Sequence, residues 1–159
     1  MKRIKILYII SGINYSLGFD WLDKYLDHSK YEVSYVFINT TRPELYDLFV
    51  QRERNVFFIF SKSKRNYPMA LWNLIKLIRK IHPAIVHCHL FEANLIGMTA
   101  AFLMGVPKRI YTRHHSTYHF DYAPKMVKFD RLVNKFSTHI ASISENVTSV
   151  LIERASEEG

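Results

Sequence analysis

At 159 residues the chain has room for one domain with a substantial core. Hydrophobic residues make up 48% of it, with only 5 Gly and 5 Pro, which excludes a low-complexity chain. The lone Cys88 excludes a disulfide framework and fits a reducing compartment. The net charge of +8 is concentrated: between Glu53 and Asp121 the only acid is Glu92, against ten Lys and Arg. Such a block projects a positive field suited to an anionic ligand or an anionic membrane surface. Its basic residues interleave with a helix-period apolar pattern and form no nucleic-acid reading motif, so no nucleic-acid partner is expected.

An apolar run over 4–10 reads as the first strand. Flanked by Lys2 and Arg3, it is neither a secretion signal nor long enough to span a bilayer, so a cytoplasmic protein is expected, at most peripheral on the inner membrane face. After the loop Ser11-Gly12-Ile13-Asn14-Tyr15-Ser16-Leu17-Gly18, residues 19–28 place Trp21, Leu22, Tyr25 and Leu26 at helical spacing. A second strand is predicted over 32–38. Pro43 can open a helix to about Arg52, and a third strand follows over 56–60. Pro68 starts a long helix with an apolar stripe of Leu71, Leu74, Ile75, Ile78 and Ile81, which Pro83 stops. A fourth strand spans 84–88. Residues 93–104 are apolar all round, with Gly97, Ala100 and Ala101 allowing close approach to a sheet, and Gly105 and Pro107 end that helix. Strands over 109–112 and 139–143 bracket a helix over 125–136. This alternation predicts a Rossmann-like three-layer α/β/α domain with a mostly parallel sheet of about six strands.

The chemistry-bearing residues all sit at the ends of these runs. Ser11-Gly12, Val86-His87-Cys88-His89, Thr112-Arg113-His114-His115-Ser116 and Ser144-Glu145 each close or follow a strand. In an open α/β sheet the ligand crevice lies outside the carboxyl ends of the strands, so these residues are expected to meet along one edge. His114 is the sharpest candidate, and Arg113, His115 and Ser116 add donors for phosphate or sugar hydroxyls. His87 and His89 share a face if their strand continues; His87 reads as a packing histidine and His89 as the one nearer the crevice. Cys88 between them reads as a core residue. His-X-His is a common metal pair, yet no third ligand stands at a required spacing, so no metal is expected. The first loop can present backbone N–H groups and a helix N-terminus to a phosphate, with Gly12, Asn14 and Gly18 as contacts. It is not a G-x-G-x-x-G sequence, and no P-loop sequence occurs, which argues against a dehydrogenase-type dinucleotide site and a P-loop nucleotidase. Ser144 can equally be an ordinary helix cap.

The ordered set Lys5-Ile6-Leu7-Tyr8-Ile9-Ile10, His82-Pro83-Ala84-Ile85-Val86-His87-Cys88-His89, Gly105-Val106-Pro107, Arg109-Ile110-Tyr111-Thr112-Arg113-His114 and Ala141-Ser142-Ile143-Ser144-Glu145 resembles the N-terminal domain of a family 4 glycosyltransferase of the GT-B fold. The resemblance runs over essentially the whole chain. It implies two Rossmann-like domains facing across a cleft, with residues 1–159 as the N-terminal acceptor-side domain and the C-terminal donor-binding domain absent. It further implies a retaining transferase that moves a sugar from a nucleoside diphosphate sugar to a glycan or lipid-linked acceptor in cell-surface polysaccharide synthesis, with no tightly bound cofactor. By the same resemblance His114 lies beside the reacting centre and the first loop approaches the donor diphosphate. His89, Glu92, Arg113 and His115 shape the acceptor side. Two positions depart from the family's pattern: Gly12 and Gly18 are separated where the family often has adjacent glycines, and Ala84 stands where an Asp is usual. The chain is expected to fold alone and not to catalyse alone. The alternative reading is a non-catalytic α/β module that holds an anionic ligand or a membrane without turnover.

Overall fold

A computed structural model describes residues 2–114, 127–149 and 152. Strands β1 (Ile4–Ser11), β2 (Tyr31–Asn39), β3 (Asn55–Phe60), β4 (Ile85–His89), β5 (Lys108–Arg113) and β6 (His139–Ser142) form one six-stranded sheet in the order β3-β2-β1-β4-β5-β6. Every pairing is parallel. Between the strands run α1 (Leu17–Tyr25), α2 (Glu44–Gln51), α3 (Tyr67–Ile81), α4 (Met98–Leu103) and α5 (Val127–Phe136). A 3₁₀ turn, Lys64–Asn66, precedes α3, and a π turn, Ala93–Gly97, precedes α4. The predicted Rossmann-like α/β/α class is what forms.

The alternation of side chains along a strand divides the core in two. Leu7 and Ile9 of β1 join Val36, Ile38, Val86 and Cys88 under α3, α4 and α5. Ile6, Tyr8 and Ile10 join Val33, Tyr35 and Phe37 under α1 and α2. Because both faces are covered, the central strands are apolar almost throughout, as parallel strands are. Each fully buried aliphatic side chain contributes roughly 1.5–3 kcal/mol. Cys88 is wholly buried in the first cluster, where burial raises its thiol pKa and keeps it a packing residue.

The predicted boundaries shift by one or two residues at most strand ends, and two helices differ in kind. The helix expected over 19–28 runs from Leu17 to Tyr25, because Leu26 is extended (ψ 139°) and the chain turns at Asp27. The helix expected as one piece over 93–104 opens instead with the π turn, packed so close to the sheet that a Cβ on Gly97 would stand 2.5 Å from Cys88 Sγ. Pro43 is the residue before α2 rather than its first turn. The stop at Pro83 holds: His82 caps α3 in the left-handed region at φ 52°. Residues 125–126 lie outside the described residues. No helix among those described is long and apolar enough to cross a membrane.

One tie between elements has no counterpart in the sequence reading. Asp23 of α1 is completely buried and accepts hydrogen bonds from Tyr35 Oη (3.0 Å), Arg52 Nη1 (3.2 Å) and Arg54 Nε (2.8 Å). Arg52 also reaches Asp20 Oδ1 at 2.5 Å. Two guanidiniums on one buried carboxylate satisfy it where an unpaired charge would be untenable, and they lock α1 to the end of α2 and the start of β3.

Candidate functional site

The strand order reverses between β1 and β4, and an open sheet of this kind has its crevice outside the carboxyl ends of the strands at that point. Two groups of residues gather there.

The first is a histidine cluster on the α1 side. With Val86 and Cys88 committed to the opposite core, alternation sends His87 and His89 the other way, their rings 4.2 Å apart. Tyr8 of β1 lies against both, at 5.3 Å and 5.8 Å, and Phe19 of α1 meets His89 edge-on at 4.8 Å. His114, one residue past β5, brings its ring within 6.3 Å of His89. His87 Nε2 and Thr112 Oγ1 are hydrogen-bonded at 2.8 Å. Burial lowers the His87 pKa to about 4. His89 is lowered further, by burial first and then by neighbouring His87 and His114. Both rings are therefore neutral at pH 7, each able to donate one hydrogen bond and accept another. His89 Nε2 is buried with no hydrogen-bond partner among the described residues. His89 ends β4 at the crevice edge as expected, yet it is the more buried of the pair, because Phe19 covers it. Among the described residues no group of three His, Cys, Asp or Glu is arranged to hold a metal.

The second is a polar cleft of about 380 Å³ at the ends of β1, β2 and β3, lined by Gly12, Asn14, Asn39, Ser61, Lys62 and Glu92 among others. Gly12 has φ +67°, a conformation that favours glycine, with open space in front of it. Its N–H already donates to Asn39 Oδ1 at 2.6 Å, while Asn39 Nδ2 donates to Ile13 O. Asn39 thus closes the first loop from within, and the Gly12 N–H expected to face a phosphate is occupied. Ser61 lines the cleft, and its Oγ is buried with no hydrogen-bond partner among the described residues. Glu92 accepts from Tyr67 Oη at 3.0 Å. Burial first, then the Glu92 carboxylate, pushes the Tyr67 pKa up to about 12, so the phenol remains a donor.

The remaining predicted residues divide. Asn14 Oδ1 and O accept the N–H groups of Glu44 (3.0 Å) and Leu45 (3.1 Å), so Asn14 borders the cleft while its acceptors cap α2. Gly18 is the second residue of α1 with ordinary space around it. Arg113 lies with its guanidinium 4.0 Å from Asp130 of α5, on the sheet face opposite the histidines. Ser144 Oγ accepts from Val147 N at 3.3 Å, the capping role weighed for it, and Glu145 is exposed at the start of the helical residues 145–149. His115 and Ser116 lie outside the described residues. Asn39, Ser61 and Lys62 were not singled out from sequence as site residues. Their position at the close of β2 and just past β3 is the same strand-end signal that marks the others.

The left-handed Leu90 (φ 73°) directly after His89, followed by the π turn, adds local strain beside the crevice; such features concentrate at functional sites. Ser11 Oγ accepts from Ala93 N at 3.0 Å, tying the end of β1 to this turn.

Residues 22–156 match the family described as Glycosyltransferase Family 4. No curated protein matches the sequence. Among solved structures, the fold is similar to the lipopolysaccharide outer core galactosyltransferase WaaB in its apo form, with TM-score 0.71 and 17% identity over 95% of this chain and 42% of that one. It is similar to Anabaena Alr3699/HepE in complex with UDP, with TM-score 0.70 and 12% identity over 96% and 41%. It is similar also to UDP-GlcNAc 2-epimerase from Methanocaldococcus jannaschii, with TM-score 0.72 and 12% identity over 96% and 43%. This chain spans less than half the length of each. A transferase and an epimerase share the architecture, so the likeness shows the fold and the family match carries more.

Proposed function

The chain belongs to glycosyltransferase family 4, and on that premise we propose that it is the acceptor-side half of a two-domain retaining glycosyltransferase. The reaction moves a sugar from a nucleoside diphosphate sugar to a glycan or lipid-linked acceptor in cell-surface polysaccharide synthesis. The observation that carries this reading is the juxtaposition of His114 and the buried, neutral His89 at the strand-order reversal, beside a polar cleft of ligand size. UDP in the complex of one similar structure supports a uridine diphosphate donor.

In this reading the His114 ring donates a hydrogen bond to the transferred sugar or to its phosphate. His89, Tyr8 and Phe19 exclude water behind it and fix its side of the crevice. Glu92, with acceptor capacity left beyond Tyr67, takes an acceptor hydroxyl. The acceptor oxygen bonds to the anomeric carbon on the face where the bond to the diphosphate breaks, its proton passes to the departing diphosphate oxygen, and a second, donor-binding domain receives the diphosphate. The basic face on α3 brings the domain to an anionic membrane on the cytoplasmic side.

The test is transfer from a panel of UDP-sugars by the full-length protein containing this chain, with the product's anomeric configuration read by NMR. His114→Ala lowers turnover by about 10²-fold, the scale of losing one preorganised donor, with the unfolding midpoint unchanged. Wild-type turnover in that variant overturns the role of His114. UDP-sugar binding without transfer or hydrolysis favours the non-catalytic module that the +8 charge alone would also suit.

A further inference from the structure

The ladder from β5 to β4 ends at Thr112 and the ladder from β5 to β6 ends at Arg113, so His114 lies past both. Its place in the crevice follows from how the two residues before it are held. Alternation sends Thr112 to the histidine face of the sheet and Arg113 to the other. Each is tied there by its side chain: Thr112 Oγ1 to His87 Nε2 at 2.8 Å, and the Arg113 guanidinium 4.0 Å from Asp130.

The tie to His87 does not follow from strand pairing. His87 stands opposite Ile110 in the ladder, while Thr112 stands opposite His89. The His87 ring therefore reaches diagonally, two residues along β5 toward its carboxyl end. Tyr8 at 5.3 Å and His89 at 4.2 Å pack against that ring and hold its orientation, and Thr112 is only 8% exposed. A hydroxyl can donate or accept, so the bond forms with either tautomer of the neutral imidazole.

Packing alone does not account for this pair. Apolar groups of the same shape at both positions would leave stability nearly unchanged, whereas an unmet buried hydroxyl is costly. What the pair adds is direction at the strand end. A reacting constellation must be held within roughly 0.5 Å by hydrogen bonds behind it. We propose that His87 is a positioning residue, fixing the end of β5 through the Thr112 hydroxyl and so placing the His114 ring. This rests on the role given to His114 above and extends it to a residue that touches no substrate.

A double-mutant cycle in the full-length protein tests the idea, read as UDP released from UDP-glucose and UDP-N-acetylglucosamine. His87→Phe keeps a packed ring and loses the bond, and Thr112→Val loses it from the other side. Each is expected to lower kcat about five- to tenfold, the rate equivalent of one net hydrogen bond, with KM little changed. Together they cost no more than either alone. His87→Gln, whose amide can stand in for the ring nitrogen, recovers most of the loss. In a His114→Ala background His87→Phe costs nothing further, because the group it serves is gone. Hydrogen exchange without substrate is expected to quicken in His87→Phe at amides 112–114 and not at amides 6–10 of β1.

Wild-type kcat in His87→Phe overturns the positioning role and leaves that of His114 standing. So does an equal loss in the His114→Ala background, or faster exchange across the whole sheet, which makes His87 a packing residue. Wild-type turnover in His114→Ala overturns the reading on which the proposal rests. If neither nucleotide sugar is turned over, exchange alone decides: unchanged rates at amides 112–114 overturn the proposal.

Discussion

A Cβ at Gly97 would meet Cys88 Sγ at 2.5 Å and Ile9 Cδ1 at 3.1 Å, both fully buried, so Gly97→Ala must displace those side chains or lift the π turn from the sheet. Overpacking of this kind costs about 1–3 kcal/mol, and urea unfolding of the variant checks it; an unchanged midpoint contradicts the close approach. The run of Gly97, Ala100 and Ala101 signalled that approach in the sequence. His87 and His89 were legible in their shared direction, since parity along a strand is local. Their burial was not, because it depends on Tyr8 and Phe19 from β1 and α1. That burial has a pH signature. His87 titrates near 4 in the fold and near about 6.5 when unfolded, so the unfolded chain binds the extra proton first. Stability is full above about pH 6.5 and falls as pH drops toward 4, by the order of 3 kcal/mol for His87 alone, with His89 acting in the same direction. His87→Gln should flatten this loss between pH 7.5 and 4.5 in paired urea titrations. An equally steep loss in the variant contradicts the assignment.

Among elements, type and order were readable, while the joints were not. Six apolar runs and the helices between them follow from periods of two and 3.6, which adjacent residues set by themselves. The π turn before α4 and the early end of α1 answer to packing and capping that no window of sequence contains. The same holds for Asp23. It lies outside the helical stripe of Trp21, Leu22, Tyr25 and Leu26, yet it is the buried residue of α1, with Arg52 and Arg54 folded back over it and Tyr35 beneath. Asp23→Ala removes the acceptor shared by Arg54 and Tyr35 and leaves Arg52 only Asp20, and should cost about 3–5 kcal/mol, read by denaturant unfolding. A loss under about 1 kcal/mol would place this tie among exposed pairs of little worth.

For the whole molecule, charge distribution has its own consequence. Arg65, Met69, Trp72 and Lys76 are exposed at helical spacing along the start of α3, with Arg79 and Lys80 exposed beyond. Aromatic and basic side chains on one face suit an anionic lipid interface. Co-sedimentation with anionic vesicles is expected at low salt and should fade near about 0.5 M, where the Debye length is only a few ångströms. Equal binding to neutral vesicles rejects the membrane role. The sequence by itself determined the class of fold, the gathering of chemistry at strand ends and the side to which each strand residue turns. These depend on hydrophobic periodicity and on the geometry shared by every parallel α/β sheet. Only the tertiary structure decided which strand-end residues face one space. It turned Arg113 to Asp130, engaged Asn14 in capping α2 and occupied the Gly12 N–H with Asn39. It also joined Ser61, Lys62 and Glu92 into a cleft. Hydrogen-bond partners and cavity walls come from segments far apart in the chain, and their meeting is set by how helices settle on the sheet.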